Sequence, residues 1–239
     1  MIGDDIVLEN SITKQQSYFV VKSNEIIQKS RFSMSVQQQK IMLFLISKIK
    51  PTDTANQLYC ISILDFLNVT DMCDSGNNYS EVKKALKTIA DKSMWLTKPN
   101  GKEVLLRWLD RIEIDTKTNL ISVRFHEDMF PYLLDLREKY TQYSLENILP
   151  MRSKYGIRLY ELLRSYANMD SAMTIEIDEL RQRMDCTQYE RFPDFRRFAL
   201  NPALDDINTF TDISVECSFQ GGKGRGHACK EITFLIDAH

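Results

Sequence analysis

The 239-residue chain has no apolar run near the roughly 18 residues needed to cross a bilayer; its longest, such as residues 41–46, fall far short, so no membrane association is expected. It has no C-x-x-C pair. Cys60, Cys73, Cys186, Cys217 and Cys229 are scattered and odd in number, which reads as reduced packing residues rather than a disulfide framework. Histidine is scarce, being confined to His126, His227 and His239. A zinc site would have to draw on Cys217, His227 and Cys229, whose spacing fits no structural pattern, so neither a metal nor another cofactor is expected. The same scarcity argues against an origin nickase, which combines a tyrosine nucleophile with a metal held by closely spaced histidines. With no G-x-S-x-G motif and no paired Cys/His context either, no enzyme is expected.

An excess of positive charge is missing too. Thirty-one Lys and Arg face 33 Asp and Glu, for a net charge of −2. This excludes a polycation that coats nucleic acid indiscriminately, and any DNA binding requires the bases to be segregated on one face. The acidic start, Met1-Ile2-Gly3-Asp4-Asp5, lacks the basic-then-apolar order of a secretory signal and points to a cytoplasmic location.

What is present is a chain that says the same thing twice. In the first half, Met34, Val36, Ile41, Met42, Leu45, Ile46 and Ile49 recur at helical spacing within residues 33–50; in the second, Tyr155, Leu159, Leu162, Leu163 and Tyr166 do so within 153–168, with Arg158 and Arg164 on other faces. A short alternating stretch follows each, residues 59–63 and 173–177, reading as a small edge strand. Next come a short helix with an acidic start (Asp65, Asp178), a polar turn, and a second helix opening with Ser80-Glu81-Val82-Lys83-Lys84 or Pro193-Asp194-Phe195-Arg196-Arg197. Each half closes on a hairpin: residues 105–114 and 120–125 around the turn 115–119, and residues 213–219 and 231–236 around a glycine-rich tip.

Helix, strand, helix-turn-helix and hairpin make a winged helix, so the expected fold is α+β with two tandem winged-helix domains. The first spans 15–139 and ends in a connecting helix over 126–139, in which Pro131 is tolerable near a first turn; 140–150 is an extended linker, 151–239 the second domain, and 1–14 a flexible N-terminal segment.

A helix-turn-helix reads duplex DNA by laying its second helix in the major groove, where Arg donates to guanine O6 and N7 and Asn pairs with adenine. Residues 194–208 supply that chemistry. Arg196, Arg197 and Asn201 sit early, Arg197 and Asn201 four apart on one face, while Phe195, Phe198 and Leu204 pack the helix to the body. Pro202 within this helix has no evident reason. Gln188, Tyr189 and Arg191 just before it are placed to reach phosphates.

A basic helix face is most often merely solvated. Three more clusters weigh against that. Arg152-Ser153-Lys154 begins a helix, where backbone N–H groups and side chains together grip phosphate. Lys223 and Arg225 occupy the glycine-rich tip, and Lys83, Lys84 and Lys87 mark the equivalent helix of the first copy. The tip is no nucleotide-binding P-loop, because no Ser or Thr follows the lysine and strands flank it.

These residues resemble the iteron-binding plasmid replication initiators (the RepB/RepE-like family). The resemblance is carried by Val20-Val21-Lys22-Ser23-Asn24-Glu25-Ile26-Ile27, by the block from Leu149-Pro150-Met151-Arg152-Ser153-Lys154-Tyr155-Gly156 to Leu159-Tyr160-Glu161-Leu162-Leu163, by Asp194-Phe195-Arg196-Arg197 with Asn201-Pro202-Ala203, and by Thr211-Asp212-Ile213. It implies a protein that binds directly repeated origin sequences as a monomer. It implies dimers too, formed largely through the first domain, that repress the initiator's own promoter at an inverted repeat. A host initiator ATPase and the replicative helicase are the implied partners, and the second domain makes the principal base contacts. A winged-helix transcription regulator without an initiator role is the alternative.

Overall fold

The computed structural model describes residues 18–54, 57–70, 78–134, 136–167, 170–221 and 229–239. The proposed segment 1–14, His227 and the tip residues Lys223 and Arg225 lie outside them.

The chain opens with β1 (Phe19–Ser23), α1 (Asn24–Lys29) and the two-residue β2 (Ser30–Arg31). Ser23 caps α1 by accepting from the Ile26 N–H, and Ser35 forms a capping box with Gln38 at the start of α2 (Val36–Ile46). Then come β3 (Tyr59–Ser62), α3 (Ile63–Thr70) and α4 (Asn78–Ala90). Four strands follow: β4 (Ser93–Thr97), β5 (Glu103–Arg107), β6 (Leu109–Asp115) and β7 (Leu120–Phe125). A 3₁₀ turn leads into α5 (Phe130–Leu133) and β8 (Tyr140–Ser144).

The second half has α6 (Lys154–Ala167), β9 (Ala172–Glu176) and α7 (Ile177–Arg183). Next is a helix running from α8 (Phe192–Phe195) through one π-helical turn (Arg196–Leu200) into α9 (Asn201–Phe210), and finally β10 (Ile213–Gly221) and β11 (Cys229–Ala238).

The repeat is visible in the sheets. β3-β7-β6 and β9-β11-β10 are three-stranded antiparallel sheets with the same order, each preceded and crossed by equivalent helices: α2, α3 and α4 in one, α6, α7 and α8–α9 in the other. The copies differ by an insertion, since β4 and β5 form an additional hairpin that pairs with β2. Residues 105–114, read from the sequence as one strand, are therefore two strands in two sheets. Trp108 is the reason: it is buried, its ring edge-on to Phe32 with centroids 5.3 Å apart, and the chain turns around it.

Only the first half of the connecting helix expected over 126–139 forms, as a 3₁₀ turn (Glu127–Met129) running into α5. Helical backbone stops at Leu133, with Met129, Tyr132 and Leu133 buried, and Lys139 adopts positive φ (53°) before the chain becomes β8. β8 pairs antiparallel with β1, and Lys139 accepts from the Asn24 N–H; a full strand ladder outweighs the weak helical preference of a stretch interrupted by Pro131. Residues 140–150 are likewise no free linker, because Tyr143, Leu145 and Ile148 are buried.

α6 is the axle of the molecule. Its residues pack on α9, β9 and β11 of the second half and on α1, α2 and β8 of the first. Arg158, on another face of α6 than its apolar row, is buried against β2 and the end of α7. Its guanidinium donates to Ser30 O (3.0 Å) and Arg183 O (3.0 Å) and lies 4.0 Å from the Phe32 ring centroid. Beside it the Lys22 ammonium and the Tyr143 hydroxyl both approach Glu161 Oε1 at 2.5 Å. Gln28 and Gln39 complete the joint, donating to Ser165 Oγ (3.0 Å) and Lys154 O (3.1 Å).

Candidate nucleic-acid interface

The helix 192–210 presents two faces. Phe195, Ala199, Leu200, Ala203 and Ile207 are buried, with Asp206 among them; Arg196, Arg197, Phe198 and Asn201 are exposed. Phe198 is thus on the wrong side for the packing role read from the sequence. Its ring is 47% exposed, and the helix is held instead by the row Phe195, Ala199, Leu200 and Ala203.

Pro202 now has a physical reason. In α geometry residue 202 would donate to the carbonyl of Phe198, but proline has no N–H and its ring crowds that carbonyl. The π turn just before it absorbs the conflict: the Asn201 N–H reaches back five residues to Arg196 O. The wider turn also rotates Asn201 relative to Arg197, so the simple four-residue spacing does not describe how the two lie.

Two aromatic groups fix this helix to its surroundings. On one side Phe198 stacks on Tyr189 (centroids 5.8 Å apart), which meets Tyr155 of α6 edge-on (6.2 Å), and Gln188 donates to the Tyr155 hydroxyl (2.9 Å). On the other, Phe192 meets Phe219 of the wing strand β10 (5.2 Å), and the Arg196 guanidinium lies 5.2 Å from the Phe219 centroid. The arrangement brings Arg196, Arg197, Tyr189 and the start of α6 onto one surface with the root of the wing. Arg191 is well exposed at the N-cap of α8, with Asp194 3.9 Å away.

At the start of α6 the sequence-based reading needs correcting. The backbone N–H groups of Arg152 and Ser153, expected to grip phosphate, both donate to Asp206 Oδ2, at 2.8 and 2.6 Å. A carboxylate from α9 already occupies the anion position. Ser153 Oγ accepts from the Gly156 N–H (3.2 Å), and the Lys154 ammonium is 3.2 Å from Asp185. Only the Arg152 side chain of this triplet is fully exposed.

This clamp depends on Gly156. A Cβ there would sit 3.1 Å from Asp206 Oδ2 and 3.2 Å from its Cβ, tighter than most such contacts, so the carboxylate would have to give by a few tenths of an ångström. Asp206→Ala will lower folding stability by about 1–3 kcal/mol, because two part-buried N–H donors lose their carboxylate acceptor. Gly156→Ala will be less favourable in wild-type protein than in the Asp206→Ala background, where the Oδ2 contact is gone, the Cβ contact remains, and alanine's better helix propensity, about 1 kcal/mol, is less opposed. Urea denaturation of the four proteins reads this directly; additive losses would mean that the two residues do not share one contact.

In the first half, α4 buries Val82, Leu86 and Ile89 and exposes Lys83, Lys84 and Lys87, the last with Asp91 as an i, i+4 partner at 2.8 Å. Lys83 and Lys87 line a cleft of about 610 Å³ together with Arg107, Arg111, Asp110 and His126. Arg107 and Arg111 were missed in the sequence because it is the tertiary packing of β6 on α4, with the chain turning at Trp108 just before it, that forms the cleft they line. Among the described residues no group of three His, Cys, Asp or Glu side chains is placed to hold a metal ion, and no helix is long and apolar enough to cross a membrane.

Comparison with known proteins agrees with the doubled architecture. The family model described as "Initiator Replication protein, WH1" matches residues 19–164, and "Initiator Rep protein, WH2" matches 176–236. The PI protein of Escherichia coli is 26% identical over 157 residues, 59% of this chain and 52% of that protein, so the chain spans about half the length of this curated relative. Among solved structures, a Pi initiator protein in complex with iteron DNA is similar with a TM-score of 0.71 at 20% identity, over 94% of this chain and 99% of that one. Domains 2 and 3 of RctB are similar at a TM-score of 0.50 and 14% identity, over 96% of this chain and 95% of that one. With both family models aligned in order on its two winged-helix units, the chain belongs to the initiator replication protein family.

Proposed function

We propose that the chain is a sequence-specific duplex-DNA-binding plasmid replication initiator that binds directly repeated origin sequences, and that it works without catalysing a reaction. The observation that carries this reading is the outward face of helix 192–210, where Arg196, Arg197 and Asn201 are exposed together on a helix anchored to the body and to the wing. In this reading the second domain, 151–239, makes the principal base contacts. Tyr189, Arg191, Arg152 and Lys154 approach phosphates beside it, and Lys223 and Arg225, in the segment between β10 and β11, contribute to the same phosphate contacts. The first domain, 15–139, adds Lys83, Lys84 and Lys87 and mediates dimerisation. The exposed Trp95 and Leu105, which face each other across β4 and β5 at the edge of their sheet, suit an apolar contact with a second copy. Dimers would repress the initiator's own promoter at an inverted repeat, while monomers on direct repeats recruit the host initiator ATPase and the replicative helicase. A plasmid origin as target places this work in the cytoplasm.

Gel shifts on the origin-proximal direct repeats of the parent replicon test the reading. Stepwise complexes, one per repeat, are expected. Arg197→Ala will cost about 1–3 kcal/mol on the repeat and little on random DNA, whereas Lys223→Ala will weaken both alike. Binding to an operator palindrome with none on direct repeats would mark a transcription regulator instead. A tyrosine-linked nick in supercoiled origin DNA with Mg²⁺ or Mn²⁺ would overturn the non-enzymatic reading.

A further inference from the structure

We infer that Phe198 is a base-reading residue, recognising a thymine in the major groove through its 5-methyl group; the inference rests on the assignment of helix 192–210 to base readout. A single exposed aromatic residue ordinarily needs no explanation. Phe198 differs in where it stands and in how it is held. Its ring is exposed on the outward face of the helix, between Arg197 and Asn201, the two side chains best suited to read guanine and adenine. Every other phenylalanine on this helix turns inward or against the wing: Phe195 is fully buried, Phe210 packs against the core, and Phe192 packs on Phe219.

The ring is also pre-positioned. It stacks on Tyr189 at an interplanar angle of 27°, Tyr189 leans edge-on against the buried Tyr155, and Gln188 holds the Tyr155 hydroxyl. The Arg197 guanidinium lies 5.1 Å from the Phe198 centroid. A side chain fixed before binding does not lose rotamer freedom on contact, so what it gains there goes into affinity. The base-pair edges exposed in the major groove carry one apolar group, the thymine 5-methyl, and phenylalanine is among the side chains that meet it. Since the guanidinium and the ring are neighbours, the thymine should lie next to the guanine read by Arg197, on either strand.

Duplexes selected by the wild-type protein from a random library of about 30 base pairs, then scanned by replacing each thymine with deoxyuridine, test this. Wild-type binding should weaken about fourfold at one thymine per site, the effect of losing one buried methyl group. Phe198→Ala should be indifferent to that same replacement while keeping its preference for the neighbouring guanine, and Phe198→Leu should retain part of the methyl sensitivity. The leucine variant keeps the test valid if alanine disturbs the aromatic stack. A wild type that selects a sequence but ignores every thymine methyl overturns the role of Phe198 alone, as does Phe198→Ala keeping full sensitivity. A Phe198→Ala defect confined to single-stranded DNA would point to base stacking and likewise overturn it. If the wild type selects no sequence at all, the base-readout assignment fails first.

Discussion

Lys22→Met will lower folding stability by about 3–5 kcal/mol, a large share of the 5–15 kcal/mol typical of a folded protein. The Lys22 ammonium and the Glu161 carboxylate are each about 2% exposed and 2.5 Å apart, so removing Lys22 strips the buried carboxylate of its direct partner and leaves only the neighbouring Arg158 guanidinium to offset it in a low-dielectric interior. Burial already pulls the Lys22 pKa below its ordinary value against the attraction of Glu161, a sign of how strongly this site penalises charge. The companion variant distinguishes a lost pair from lost packing. Lys22→Met with Glu161→Gln will recover most of the loss, because glutamine is neutral and still accepts from the Tyr143 hydroxyl. Urea denaturation measures both. A Lys22→Met effect under about 1 kcal/mol, or no recovery in the double variant, would show that this ion pair is not what makes the joint.

The consequence extends beyond stability. The cluster of Lys22, Tyr143, Arg158 and Glu161 fixes α6 against β1 and β8, and α6 also packs on α9, β9 and β11 of the second half. Under the proposed function that geometry bears on whether both winged helices engage one site at once, and the double variant is expected to fold while holding α6 less firmly.

Raising salt from 50 to 200 mM will weaken binding to the origin repeat by about 10³- to 10⁴-fold. The proposed phosphate contacts are Lys83, Lys84, Lys87, Arg152, Lys154, Arg191, Lys223 and Arg225. Of these, Lys87 and Lys154 already share carboxylates, at 2.8 and 3.2 Å, while the well-exposed Arg191 has Asp194 only at a looser 3.9 Å, which sets about six to eight neutralised phosphates and a slope of log K on log salt of roughly −5 to −7. A filter-binding titration at several salt concentrations gives the slope, and a value shallower than about −2 would mean that most of these residues face solvent instead of DNA. Because the net charge is −2, binding to random duplex should be weak. Specificity then has to come from the few side chains that meet base edges.

Much of the architecture was legible from local pattern. Helical periodicity, short alternating strands and turn residues repeated in the same order, and these depend on the chain's immediate neighbours; the basic side chains of helix 192–210 were likewise readable, since residue type and helical phase are local properties. The failures share a cause. The helix expected over 126–139 stops at Leu133, and the chain goes on to a strand pairing made with β1, more than 100 residues earlier. The N–H groups of Arg152 and Ser153 go to a carboxylate on another helix, and Phe198 turns outward, where it stacks on Tyr189 beside a π turn. The sequence by itself determined two winged helices and the chemistry available on their surfaces. The tertiary structure decided which of those groups remain free to meet DNA, because a polar or charged side chain is spent on whichever partner folding brings to it first.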